Sequence, residues 1–222
     1  MRIKLKYTFF VVLFVIASVL ESFALSREGE VVEVGLFSQS ILSGWKEKTF
    51  EGNTQYDLNG EDDARYLRAV SDMSASAFYK KIKVDLQKTP YLNWSWRIDE
   101  GLPALQERTK QGDDYAARVY VIVKLGVAPW KTRALNYIWS SAEQVQDAWP
   151  NVFVDKAMMI PLRSSSDKEG QWQSEKVNVA VDFKNHFGLD VRFIHGVAIM
   201  TDTDNSSLSA AAAYGDIFFS ES

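Results

Sequence analysis

The chain of 222 residues has no cysteine. That excludes disulfide staples, thiolate nucleophiles, cysteine-based zinc sites and iron–sulfur clusters, so stability must come from a packed core. Histidine is scarce: His186 and His195 are the only two, and neither sits in a metal-binding or catalytic spacing. The HExxH, P-loop, dinucleotide-binding and serine-hydrolase patterns are missing as well. Nor is positive charge concentrated. The net charge is −4, and the densest basic group, Lys80, Lys81 and Lys83, reads as the solvated side of a strand. No basic stripe of the kind that binds nucleic acid is present. Long apolar runs are lacking too, except near the start of the chain.

That exception has three parts. Arg2, Lys4 and Lys6 form a positive start, an apolar run follows from Phe9 to Leu20 broken only by Ser18, and Ser22-Phe23-Ala24 places small residues before a cut. This is the layout of a secretory signal peptide cleaved after Ala24. The run is shorter than the ~20 residues of a membrane span, and no cysteine follows it for lipid attachment. We therefore expect an exported protein, periplasmic or extracellular, with no membrane span after cleavage. The remainder, 25–222, has the length of one all-β domain, a class that runs to ~200–250 residues.

What is abundant is period-two alternation between Gly, Pro, Asn and Asp clusters, the pattern of half-buried strands. Leu92, Trp94, Trp96 and Ile98 share one face of a strand, with Asn93, Ser95 and Arg97 opposite. Tyr115, Ala117, Val119, Val121 and Val123 alternate with Asp114, Arg118 and Tyr120; Leu135, Tyr137 and Trp139 alternate with Asn136; Val177, Val179 and Val181 alternate with Lys176, Asn178 and Asp182. Further strands are expected over 66–70, 78–86, 152–162, 196–201 and 213–219. Short helices are expected over 104–111 and 182–187, the latter stopped by Gly188, and 141–147 reads as a helical turn or loop. The predicted fold is all-β: a two-sheet antiparallel β-sandwich, most economically a jelly roll, with a few short helices.

Two polar clusters carry the chemistry. In the first, a strand from Gly196 runs into Asp202, Asp204 and Asn205, oxygen donors suited to a hard cation such as Ca²⁺. It is not an EF-hand, having no glycine at the required place and no closing Glu, and Asp and Asn also bond nearby backbone N–H groups in ordinary turns. In the second, Asp114 and Arg118 share a strand face with Tyr120. With Asn136 and Trp139 they form a candidate ligand set: acid, guanidinium and amide for hydroxyl groups, rings for stacking. An exposed salt bridge on an outer sheet is the competing account. Trp130 and Trp149, beside prolines in expected loops, are further stacking candidates. No catalytic residue is assigned. A paired-acid glycosidase needs two carboxylates ~5–10 Å apart, and Asp114 with Asp202 or Asp204 is the first pair to test.

The stretches Asn93-Trp94-Ser95-Trp96-Arg97, Asp113 to Tyr120, Ala134 to Trp139, Met200 to Asn205 and Ala213-Tyr214-Gly215-Asp216-Ile217 resemble a family of secreted bacterial proteins catalogued as domain of unknown function 3047. The resemblance covers nearly all of the chain after Ala24, and it implies a periplasmic setting but carries no activity. The motif order is also similar to galactose-binding-type jelly rolls, the fold of many carbohydrate-binding modules, which is a likeness of fold and not of function. The resulting expectation is a non-catalytic domain binding a glycan or similar polar ligand. The alternatives are a polysaccharide hydrolase or lyase, and a structural or assembly factor of the cell envelope.

Overall fold

The computed structural model describes residues 29–126 and 131–222. The expected signal peptide and Trp130 lie outside the described residues. In chain order the strands are β1 (Val31–Gly35), β2 (Trp45–Glu51), β3 (Gln55–Asn59), β4 (Tyr66–Asp72), β5 (Ala75–Lys80), β6 (Val84–Asp85), β7 (Tyr91–Glu100) and β8 (Tyr115–Lys124). There follow β9 (Thr132–Trp139), β10 (Trp149–Pro150), β11 (Ala157–Arg163), β12 (Gln173–Asn178), β13 (Phe193–Ile194), β14 (Gly196–Asp202), β15 (Ser209–Tyr214) and β16 (Ile217–Ser220). The first sheet has the order β1-β16-β7-β15-β4-β3, with β12 on the other edge of β7; the second has the order β10-β11-β9-β8-β14-β5-β2. The chain repeatedly crosses between the sheets, as from β4 to β5, β7 to β8 and β14 to β15, which makes the sandwich a jelly roll.

Alternation explains the packing. Leu92, Trp94, Trp96 and Ile98 of β7 point inward against Val119, Val121, Leu135, Tyr137 and Trp139 of the second sheet, all nearly inaccessible. Trp94 lies with its ring centre 5.3 Å from Trp96 and 5.5 Å from Tyr137. Fully burying one such side chain contributes roughly 1.5–3 kcal/mol, so this inter-sheet layer dominates the stability of the fold. One pair departs from the expected antiparallel order: β9 and β11 run parallel.

Some expected elements shift, each for a local reason. The valine alternation ends at Asn178, whose side chain accepts from the Val181 N–H at 3.1 Å and starts helix α1 (Val179–Phe187). Val179 is then buried and Val181 exposed, a helical and not a strand spacing. Gly188 closes the helix at φ 67°, as its lack of Cβ allows. No α-helix forms over 104–111, where the sole regular piece is a 3₁₀ turn, Lys110–Gly112. Polar groups there serve another segment: Leu105 N–H donates to Ser141 Oγ at 3.0 Å and Glu107 accepts from Ser140 Oγ at 2.7 Å. The strand expected over 152–162 begins only at Ala157, because Asn151 Oδ1 accepts from the N–H groups of Phe153 and Val154 and turns the chain. The stretch 78–86 breaks after Lys80, and 213–219 breaks at Gly215-Asp216. At that break Asp216 accepts from Ser38 N–H at 2.8 Å and Ser38 Oγ at 2.5 Å, tying down the turn after β1.

Candidate functional site

The outward face of the second sheet carries polar residues at its centre, where β8, β9 and β14 lie side by side. Register places Met200 opposite Arg118, and Tyr120 opposite both Asn136 and Ala198. Just beyond, Asp202 pairs with Tyr115, so three residues of β8 span two of β14. Such a bulge redirects side chains. Ala116 and Ala117 both join the inter-sheet core, while Tyr115, expected inside, joins Ile138, Trp149 and Met159 on the outer face. The Tyr115 ring then lies beneath Arg118, 4.2 Å from the guanidinium carbon.

Arg118 is the centre of the constellation. Its Nη2 donates to Asp202 Oδ2 and to the Asp113 carbonyl, both at 2.6 Å, and Nη1 donates to Tyr120 Oη at 2.9 Å. Both partners of the ion pair are sealed from solvent, with side-chain exposures of 4% and 3%. Burial alone would loosen the arginine proton, but the Asp202 carboxylate holds it in place, and its pKa lies above the usual value. Burial pushes the Asp202 carboxyl well up, against the pull of Arg118, and Asp114, Asp113 and Asp204 add to the rise. Asp204, half-buried, is raised by burial and by Asp114. Arg118 Nε, Asn136 Oδ1 and Asp202 Oδ1 are buried without a hydrogen-bond partner, a costly state for polar atoms.

These residues open onto a cleft of about 470 Å³. Arg118, Tyr120, Asn136, Asp202, Asp204 and Asn205, all singled out from sequence, line it together. Asp114 stands behind this wall. It accepts from Asn205 N–H at 3.2 Å, Asn205 Nδ2 at 3.1 Å and Ser206 N–H at 2.6 Å, and so fastens the turn after β14 to the start of β8. Asp114, Asp202 and Asp204 each present a carboxylate oxygen within 4.8 Å of the others. Asn205 enters as a donor, its Nδ2 also reaching Asp204 Oδ1 at 3.2 Å.

Trp139 requires a correction: it points inward, is 4% exposed, donates from Nε1 to the Ser164 carbonyl at 2.9 Å and packs on Trp96. It lies three positions along the strand from Asn136, an odd step, so the two cannot share a face. Trp149 is likewise no open platform, being 5% exposed beneath Arg108. The rings that do border the cleft, besides Tyr120, are Phe50 of β2 and Phe153, which are 57% and 52% exposed. Neither belongs to an alternating apolar pattern. Asn151 also lines the cleft, its Nδ2 donating to both oxygens of Asp113 at 2.9 and 2.8 Å. An adjoining groove of about 260 Å³ continues along the same face over Tyr79, Ile122 and Ala198, sharing Phe50, Tyr120 and Met200 with the cleft.

A family model described as "Protein of unknown function (DUF3047)" matches residues 43–218. The chain belongs to this family. No curated protein matches it in sequence. Among solved structures, the family 30 carbohydrate-binding module of the cellulosomal cellulase Cel9D-Cel44B of Clostridium thermocellum is similar at 10% identity, with a TM-score of 0.48, covering 87% of this chain and 94% of the module. The family 11 module of Lic26A-Cel5E from the same organism is similar at 10% identity and a TM-score of 0.44, over 87% of this chain and 97% of the module. TmCBM61, solved with β-1,4-galactotriose, is similar at 10% identity and a TM-score of 0.39, over 83% of this chain and 94% of that one. At this level of similarity neither a ligand nor a site transfers from these proteins to this DUF3047 chain.

Proposed function

We propose that this protein is an exported binding protein whose cleft takes a carbohydrate chain. One observation supports this above the rest: a buried guanidinium, amide and carboxylate line a cleft that three aromatic rings also border. The unpartnered Arg118 Nε supplies a donor, and the unpartnered Asn136 Oδ1 and Asp202 Oδ1, with Asp204, supply acceptors, the pairing that vicinal hydroxyls require, since each hydroxyl both gives and accepts a proton. Tyr120, Phe50 and Phe153 offer apolar faces of the kind on which sugar rings stack. The adjoining groove past Tyr79 suits an extended oligosaccharide better than a single sugar. Burial of the polar groups in a largely apolar, concave site follows the usual anatomy of ligand sites.

Export rests on the charged, apolar and small-residue layout of residues 1–24; among the described residues no helix is long and apolar enough to cross a membrane. Cell fractionation and N-terminal sequencing of the mature chain test that part: a mature chain beginning at Leu25 in the envelope fraction is expected, and an intact N-terminus in the cytosol refutes it. For the cleft, a glycan array followed by calorimetry on the hits is decisive. Phe50→Ala, at an exposed position of an edge strand, should weaken binding several-fold with the fold intact. Folded protein that binds no glycan, or that binds equally well with Phe50→Ala and Asn136→Ala, refutes the reading. Release of sugar fragments from a bound polysaccharide in the same samples would instead place the site among the hydrolases or lyases.

A further inference from the structure

We propose that Asp114, Asp202 and Asp204 hold a hard divalent cation, of the size and chemistry of Ca²⁺, at the acidic end of the cleft. Their carboxylate oxygens lie within 4.8 Å of one another, the spacing of oxygens around one ion and a poor arrangement for three uncompensated charges. Arg118 compensates one of them, and it is spent on Asp202 Oδ2. Asp113 is answered by the Asn151 amide. What remains is an excess of negative charge in a largely buried place.

A second and independent observation points the same way. Asp202 is 2% exposed, and its Oδ1 has no donor. A carboxylate oxygen can only accept, so what satisfies it must be a proton donor or a cation. Ser206 Oγ, in the residue whose N–H holds Asp114 Oδ2, is another buried oxygen without a partner. The donor set is all oxygen, with neither His nor Cys in the cluster, which suits Ca²⁺ and disfavours Zn²⁺. The frame is fixed in advance: Asp202 sits at the end of a central strand, and Asp114 is locked by three N–H donors. Such ligands need little reorganisation to bind an ion. Water and backbone carbonyls would complete the six to eight oxygens that Ca²⁺ takes. Because Asp202 and Asp204 also line the cleft, the ion stands at its wall.

The test uses the metal alone, so its outcome is separate from that of the carbohydrate proposal. Full-length mature protein, freed of metal with chelator, is melted with added CaCl₂, and binding is measured by calorimetry. A melting temperature that climbs with the logarithm of Ca²⁺ concentration and a stoichiometry of one ion per chain are expected. Asp202→Asn disturbs the buried pair and with it the fold, so Asp204→Asn, at a half-buried position, is the deciding variant: it should fold and bind Ca²⁺ at least tenfold more weakly. No response to millimolar Ca²⁺ in folded protein overturns the proposal. So does undiminished binding in Asp204→Asn, and so does a response to Mg²⁺ or Zn²⁺ in preference to Ca²⁺.

Discussion

Arg118→Met should be among the most damaging single substitutions in the polar face of the second sheet. The variant keeps the length and apolar stem of the side chain and deletes the guanidinium. Asp202 then loses its one charge partner while both positions stay sealed, with side chains 4% and 3% exposed in the native pair. Removing one member of a buried pair costs about 3–5 kcal/mol, because the other charge is left desolvated and unanswered. The bonds to the Asp113 carbonyl and Tyr120 Oη are lost as well. In a domain of this size each kcal/mol moves the melting temperature by about 2–4 °C, so a fall of roughly 6–20 °C is expected.

The assay is urea and thermal unfolding followed by tryptophan fluorescence, in chelator so that no ion substitutes for the missing charge. Arg118→Met with Asp202→Leu, which removes both charges, should be more stable than Arg118→Met alone, since buried pairs replaced by apolar groups often come out near neutral. The double-mutant cycle isolates the coupling. A loss below about 1 kcal/mol, the level of an exposed pair, would refute the reasoning, as would a double variant whose loss is the sum of the two single ones.

Trp139→Ala should cost about 3–5 kcal/mol through the cavity it leaves between the sheets, while ligand binding by the folded fraction is unchanged; calorimetry beside a urea melt separates the two. Asp216→Ala removes the acceptor of both Ser38 bonds and should cost roughly 1.5–3 kcal/mol, as charge-assisted bonds do, with Asp216→Asn losing less. Burial raises the pKa of Glu107 in the folded chain. Its contribution to stability is therefore complete below the ordinary glutamate value and declines as pH rises through the raised one. Glu107→Gln lacks that decline, so the stability of the native chain relative to the variant should be greatest near about pH 4 and smaller at neutrality. Urea midpoints at the two pH values check the sign, and an opposite trend refutes it.

Much of this site was legible because period two is a strong constraint. Arg118 and Tyr120 were placed on one face of β8 by alternation, and the strand at 135–139 offered Asn136 to the same face. What misled was chemistry overriding parity: Trp139 suits sugar stacking, but its odd separation from Asn136 already sent it inward. The bulge at Ala116-Ala117 reversed Tyr115, and a bulge leaves no mark on periodicity. Phe50 was invisible for a different reason. The edge strand Trp45–Glu51 is exposed from its second residue on, so its charged sequence shows no alternation to read. Asn151 and Phe153 reach the cleft because β11 joins β9 in parallel, a choice made by the whole topology and absent from any local window.

The acidic cluster shows how topology can supply what spacing cannot. Asp114 and Asp202 are remote in sequence, and no motif connects them. Because β8 and β14 run antiparallel, the end of one lies beside the start of the other, and the acids that close β14 must meet those that open β8. The junction is held from below by buried polar contacts: Thr201 Oγ1 donates to the Ala116 carbonyl at 2.8 Å, and Tyr214 Oη donates to the Met200 carbonyl at 2.7 Å. The first bond joins neighbouring strands of the second sheet, and the second reaches across from the first sheet, since Tyr214 belongs to β15. They keep the bulge, and with it Arg118 and Asp202, at fixed positions on rigid strands, where a site holds its geometry better than on loops. Like charges crowded onto so stiff a frame cannot relax apart, so the strain must be met by a proton or a cation. The proposed cation site would thus follow from the strand pairing itself.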